Sequence, residues 1–356
     1  MTKYNFFAGP AILPKQVMAK AAESVIEMGD MGLSILEISH RSKEVVEIME
    51  NAVSLTKELL GIGDDFEVLF LSGGASSQFY MSAMNMLGEN ETAGYVDTGA
   101  WSTKAIKEAN AFGNVQVLSS SSDKNFSYIP KGYDIPSDLK YLHVTSNNTI
   151  FGTQFQDFPD SQVPLICDAS SDIFSRPLDM SKFGILYAGA QKNLGPAGVT
   201  LAIVNKEFLK KQARETPTML DYNTHVKKAS AFNTPPVFPI YVSMLTLEWI
   251  KANGGLSGMA QRNAEKAKIL YDEIDRNSMF KGTAAAEDRS LMNVCFLPVN
   301  EDHTAAFIEK CAEAGCVGVK GHRSVGGFRA SIYNAMPKEG VETLVEVMKS
   351  FESAHA

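Results

Sequence analysis

The chain has little cysteine and less tryptophan, four and two residues among 356. Cys167, Cys295, Cys311 and Cys316 form no C-x-x-C pair, and no histidines are spaced around them as ligands. Common zinc frameworks are thereby excluded, and buried, inert thiols in a reducing compartment are expected. No metal is expected. No apolar run approaches the roughly 20 residues that a membrane-spanning helix needs. The first residues, "MTKYNFFAGPAILP", show no signal-type apolar core or cleavage site, so a cytoplasmic location is expected. Positive charge is also short: 33 Lys and Arg stand against 41 Asp and Glu, a formal net charge of −8. That balance argues against nucleic acid or an anionic membrane as partner, while leaving room for a local basic pocket. There is no internal repeat and no low-complexity tract.

What is present is typical of a globular protein, with 45% hydrophobic and 21% charged residues. The length suits about two domains. Residues 15–60 carry two stretches with apolar residues three and four apart, which predicts helices joined by a partly extended connector, "GDMGLSILEISHRS". Seven short apolar runs follow, at 67–73, 93–99, 114–120, 141–147, 164–170, 183–190 and 199–205, most of them stopping at Gly, Ser, Asn or Asp. Helical or loop segments separate most of them. This alternation predicts an α/β fold with a mostly parallel seven-stranded sheet. The short gap between the last two runs predicts a local antiparallel pair. One or two long helices are expected from Pro239 to about Arg276. Strand, helix, strand pair and helix then predict a smaller α+β C-terminal domain. The expected division is a large domain over 15–255, and a small one over 256–356 joined by 1–14.

In open parallel sheets ligands bind outside the carboxyl ends of the strands, so chemistry is sought there. Asp168 closes "PLICDAS", and Lys192 follows the next strand in "YAGAQKNLGPAG". Adjacent strands carrying both would present them to one crevice, or simply pair them as a salt bridge. The turn "SGGASSQF" (72–79) can hold a phosphate on free backbone N–H groups at a helix start, or be a plain tight turn. It lacks the GK[ST] and GxGxxG signatures of nucleotide sites. Trp101, after "VDTGA", is either packing or a stacking platform. Taken together, a phosphate cradle, a flat aromatic, a carboxylate and a lysine suit pyridoxal phosphate. That cofactor needs an amine for its Schiff base, an acid for its ring nitrogen and a phosphate site. A lysine serving as nucleophile and proton carrier belongs on a rigid, partly desolvated element.

"NFFAGPAILP", "SILEISHRS" (34–42), "DASSDIFSRPLDMSKFGILYAGAQKNLGPAGVT" (168–200), "FNTPPVFPIY" (232–241) and "GHRSVGGFRASIYNAMP" (321–337) together resemble the phosphoserine aminotransferase family. These are class V pyridoxal-phosphate-dependent transferases of fold type I, and the resemblance covers nearly the whole chain. It implies that Lys192 forms the Schiff base, Asp168 pairs with the pyridinium nitrogen and Trp101 stacks on the ring. It also implies that Thr149 lies near the ring hydroxyl, and that Ala75, Ser76 and Gln191 bind the cofactor phosphate. Asn233 and Thr234 would reach that phosphate from the other subunit of a homodimer with shared active sites. Arg329 would bind the substrate α-carboxylate. His322 and Arg323, with His40 and Arg41 of the second subunit, would hold a distal phosphate or carboxylate.

Arginine suits that work because its planar fork binds oxyanions bidentately. The implied reaction is ping-pong transamination of 3-phosphohydroxypyruvate with glutamate, giving phosphoserine and 2-oxoglutarate in serine biosynthesis. The four-carbon phosphohydroxy keto acid of pyridoxine synthesis is an alternative substrate. Some family members carry an arginine in the cradle turn, where this chain reads "GGASS", so backbone N–H groups must do more of the binding here. Other class V activities are the competing readings. A cysteine desulfurase needs a cysteine on a long flexible loop, which Cys311 and Cys316 do not offer. A non-catalytic scaffold would be expected to lose Lys192 or Asp168.

Overall fold

The computed structural model describes residues 2–355; the outermost residues of the expected domains, Met1 and Ala356, lie outside the described residues. The chain begins with β1 (Tyr4–Asn5), α1 (Lys15–Ile26) and α2 (Lys43–Leu60). Ser42 starts α2 by accepting a hydrogen bond from Val45 N, and Gly61 ends it at φ 64°. The connector between the two helices is a series of turns, closed by Met28 N to Leu33 O and Ile35 N to Ser24 O, rather than extended chain. Its glycines, Gly29 and Gly32, both at positive φ, account for the difference.

Then come β2 (Phe66–Leu71), α3 (Gly74–Met86), β3 (Thr92–Asp97), α4 (Ala100–Ala109), β4 (Asn114–Ser120) and β5 (Leu142–Thr145). A two-residue pair, β6 (Asn147–Asn148) and β7 (Thr153–Gln154), precedes β8 (Leu165–Asp168), β9 (Phe183–Gly189) and β10 (Thr200–Asn205). All seven expected runs form one sheet, in the order β2-β10-β9-β8-β5-β3-β4. Only β10 runs against its neighbours, and it pairs antiparallel with both β9 and β2. The central strands β5, β8 and β9 are buried along their whole length, as expected of a sheet covered on both faces.

Short helices α5 (Lys206–Leu209) and α6 (Tyr222–Lys227) lead into α7 (Val237–Ala252) and α8 (Gly255–Arg276). Gly254 and Gly255, both left-handed, separate the last two helices. One apolar core lies between the sheet and α1, α2 and α7; another, with Phe79, Tyr95, Tyr141 and Tyr187, lies under α3 and α4. A third core gathers β11 (Phe280–Gly282), β12 (Asn293–Pro298), α9 (Thr304–Glu313), β13 (Cys316–Val317), β14 (Phe328–Ser331) and α10 (Lys338–His355) with α8. The N-terminal segment joins this third core: β1 pairs parallel with β13, and Phe6 is fully buried within it.

The expected strand pair over 318–334 reduces to a single antiparallel bridge between Lys320 and Phe328, the first residue of β14. Gly326 and Gly327, both at positive φ, divert the chain there. All four cysteines are free and buried, with burial pushing the Cys295 and Cys316 thiols up to about 12 and about 11. Among the described residues no helix is long and apolar enough to cross a membrane.

Candidate active site

Parallel pairing sets the centre of the site. Asp168 ends β8 opposite Tyr187 of β9, and two residues after β9 the chain delivers Gln191 and Lys192. The chain then closes a helical turn, with Leu194 N and Gly195 N both donating to Ala190 O. A Cβ at Gly189 would lie 2.7 Å from Gln191 Oε1, so a side chain there would displace the Gln191 amide. A cavity of about 440 Å³ opens at these strand ends, within the range of small-molecule sites. Ala75, Ser76, Trp101, Thr149, Asp168, Gln191, Lys192, His322 and Arg329 all line it.

Asp168 is buried and held by one oxygen. Its Oδ1 accepts Ser170 Oγ at 2.6 Å and Ser170 N at 3.0 Å, and Ser170 Oγ in turn accepts Gly189 N at 3.1 Å. The other oxygen, Oδ2, takes no hydrogen bond among the described residues. Lys192 forms no ion pair with it. Burial holds the Lys192 amine below its ordinary range; Asp168 pulls the other way and Arg329 adds to the fall. The salt-bridge reading of the two residues therefore gives way to two groups facing a common space.

The cradle turn is the first turn of α3 itself. Gly73 at φ 107° and Gly74 at φ 73° turn the strand end into the helix, and Ser77 Oγ donates back to Gly74 O at 2.8 Å. No acid occupies that turn, so its N–H groups and the positive end of the helix dipole are available to an anion. Trp101 sits in the first turn of α4, and its Nε1 donates to Thr149 Oγ1 at 3.2 Å. Arg329, on β14, donates from Nη1 to Thr149 O at 2.9 Å, while its buried Nε has no partner. Burial lowers the His322 imidazole, and Arg329, Arg323 and Lys104 lower it further.

These groups fit pyridoxal phosphate on the chemistry of the donor set: a carboxylate oxygen without a protein partner, a primary amine, an indole face and an acid-free helix start. His40, Arg41, Arg323, Asn233 and Thr234 do not line this cavity. Arg41, Arg323 and Thr234 are exposed, and His40 is half-buried. Asn233 lines a smaller cavity of about 190 Å³ beside Gly73 and Ser77.

Sequence reasoning missed Ser170, Phe79 and the segment Ala8–Pro10, all of which line the site. Ser170 was within reach, because Asp-x-Ser is an Asx-turn pattern. The Ala8–Pro10 segment was not, because a long-range hydrogen bond from Ala11 N to Gln191 O lays it over the lysine turn.

A fold-type I aminotransferase is the class that this sheet and this site define. The class V aminotransferase profile matches residues 3–344, and the chain belongs to that family. More particularly, it is 57% identical to the phosphoserine aminotransferase of Flavobacterium johnsoniae over 99% of both chains. It is 56% identical to that of Parabacteroides distasonis over the full length of both. The solved phosphoserine aminotransferase of Bacillus circulans subsp. alkalophilus superposes with a TM-score of 0.97 at 46% identity, covering 99% of each chain. The pyridoxal-phosphate-bound enzyme of Trichomonas vaginalis gives 0.93 at 37% identity, over 98% of this chain and 99% of that one.

Proposed function

We propose that the protein is a pyridoxal-phosphate-dependent phosphoserine aminotransferase acting in serine biosynthesis. It would exchange an amino group between glutamate and 3-phosphohydroxypyruvate in two half-reactions. The observation that carries this reading is the free Asp168 oxygen and the depressed Lys192 amine facing one cavity, between an acid-free helix start and unpaired cations. Bound there, pyridoxal phosphate supplies an electron sink for the charge left when the substrate α-proton departs.

The chain's own groups do the rest. Asp168 Oδ2 holds a proton on the ring nitrogen. Lys192 Nζ, whose hold on a proton burial weakens, would take the substrate α-proton and return it on the cofactor side of the substrate nitrogen. Trp101 covers one ring face and excludes water from it. The α3 start, with Ala75, Ser76 and Gln191, holds the cofactor phosphate. Thr149 orients the ring edge and, through its carbonyl oxygen, the Arg329 guanidinium that receives the α-carboxylate.

His322 and Arg323 face the distal anion. His40 and Arg41, with Asn233 and Thr234, are assigned to the second site of a homodimer. We also take 15–255 as the cofactor-binding domain and 256–356, with 1–14, as the small one. Their separate apolar cores support this division. The buried free thiols agree with a cytoplasmic enzyme.

The test is spectroscopic. The purified holoenzyme should absorb in the visible, bleach with glutamate and recover with phosphohydroxypyruvate, and borohydride should fix the cofactor to Lys192. A label on another lysine, or recovery only with unphosphorylated keto acids, would overturn the reading.

A further inference from the structure

Two cations line the cavity, Lys192 and Arg329, and neither pairs with an acid among the described residues. Elsewhere some lysines and arginines pair with carboxylates, as Lys140 does with Glu91 and Arg289 with Asp275, and others, such as Lys107 and Lys281, stand alone on the surface among the described residues. Among the described residues Lys104, Lys192, Arg323 and Arg329 form no ion pair. Among the described residues Asp168 is the one acidic group lining the cavity, and Ser170 holds it. Holding like charges together costs free energy that an anion relieves.

Lys104 belongs to this group by position. It lies one helical turn after Trp101 on α4, and its Nζ is 4.4 Å from the Trp101 ring centroid. Lys192 Nζ is 5.5 Å from the same centroid. Lys104 is also close enough to His322 to help depress that imidazole. It is exposed, so its four-carbon stem is free to follow a ligand at the mouth.

We propose that Lys104 is a specificity-determining residue, adding positive charge to the subsite for the distal anionic group and favouring a phosphoryl dianion over a carboxylate. The Coulomb attraction of a fixed cation scales with the charge it meets, so a dianion gains about twice what a carboxylate gains. The Trp101 face holds the ammonium near the mouth while no ligand is bound. This inference rests on the transaminase reading given above.

The experiment compares wild type, Lys104→Met and Lys104→Arg in the two half-reactions, each followed by absorbance. Methionine keeps the length of the stem and removes the charge. For Lys104→Met, kcat/KM should fall roughly tenfold with phosphohydroxypyruvate and less than about twofold with glutamate, with the difference shrinking at high salt. Lys104→Arg should stay near wild type. A readout without turnover uses Trp101 fluorescence in a Trp249→Phe background, titrated with inorganic phosphate; Lys104→Met should weaken that binding. Equal losses on both substrates, or no loss on either, would overturn the role. A wild type that turns over neither substrate would instead sink the transaminase reading, and the phosphate titration would then decide Lys104 by itself.

Discussion

For a single residue such as Asp168, the two oxygens do different work. Oδ1 is spent on Ser170, which fixes the carboxylate against the β9 end, and Oδ2 is left toward the cavity. Asp168→Asn keeps the shape but loses the charge that holds a proton on the ring. Its kcat should fall by at least about 10²-fold with the fold intact, as checked by steady-state rates and circular dichroism. Ser170→Ala is a subtler change. The backbone donor remains and the hydroxyl donor goes, so stability should drop about 1 kcal/mol and kcat roughly tenfold. A Ser170→Ala enzyme with wild-type kcat would show that Asp168 needs no such support.

At the scale of elements, the site depends on joints between segments. Asn193, next to Lys192, accepts Asn334 N at 3.0 Å and donates to Ile173 O at 3.2 Å. Asn334 also donates to Phe174 O at 2.9 Å and accepts Asn263 Nδ2 at 2.8 Å. One buried amide network thus ties together the lysine turn, the turn after Asp168, α8, and the chain five residues beyond Arg329. Phe174 sits at φ 57°, a strained position for a bulky residue, and Asn334 holds its carbonyl there. Asn334→Ala removes two of these hydrogen bonds and should cost about 2–3 kcal/mol in urea unfolding, with kcat falling more than KM rises. Gly73→Ala tests the other joint. Its φ is +107° and a Cβ would lie 2.7 Å from Ser77 Oγ, so the first turn of α3 must shift. Cofactor affinity should weaken at least about tenfold, measured by equilibrium titration of the apoenzyme.

On the scale of the whole molecule, how much was legible depends on the range of the interaction. The seven strands were legible because each is a short apolar run with its own stop signal, and β9 and β10 lie close enough in sequence to imply their antiparallel pairing. Asp168, Lys192, Trp101 and the α3 start were legible because a parallel sheet collects strand ends on one side. Pairing of β1 with β13, the crossing of Ala8–Pro10 over Lys192 and the Asn193–Asn334 joint were not. Each joins residues more than a hundred positions apart through backbone groups or amides that carry no sequence pattern.

Lys266 is the sharpest such case, a charged residue on the inner face of α8 that sequence reasoning passed over. It is buried and donates to Ile332 O at 2.9 Å, Tyr333 O at 2.7 Å and Met336 O at 3.1 Å, anchoring α8 to the chain that leaves β14. Burial, helped by Arg262, pushes its amine down to about 7, against the three carbonyl groups that favour the ammonium form. In the unfolded chain the same amine titrates near ~10.4. Between those values the unfolded state binds a proton that the folded state does not, so the Lys266 contribution raises stability as pH rises through that window. The slope approaches about 1.4 kcal/mol per pH unit. Below about 7 the amine is protonated in both states and the contribution levels off. Urea unfolding of wild type and Lys266→Met at pH 6, 7.5 and 8.5 isolates this residue, because every other titrating group is common to both. The stability difference should move in favour of wild type as pH increases. A difference constant across that range would mean that the three carbonyl groups outweigh burial and that Lys266 stays charged throughout.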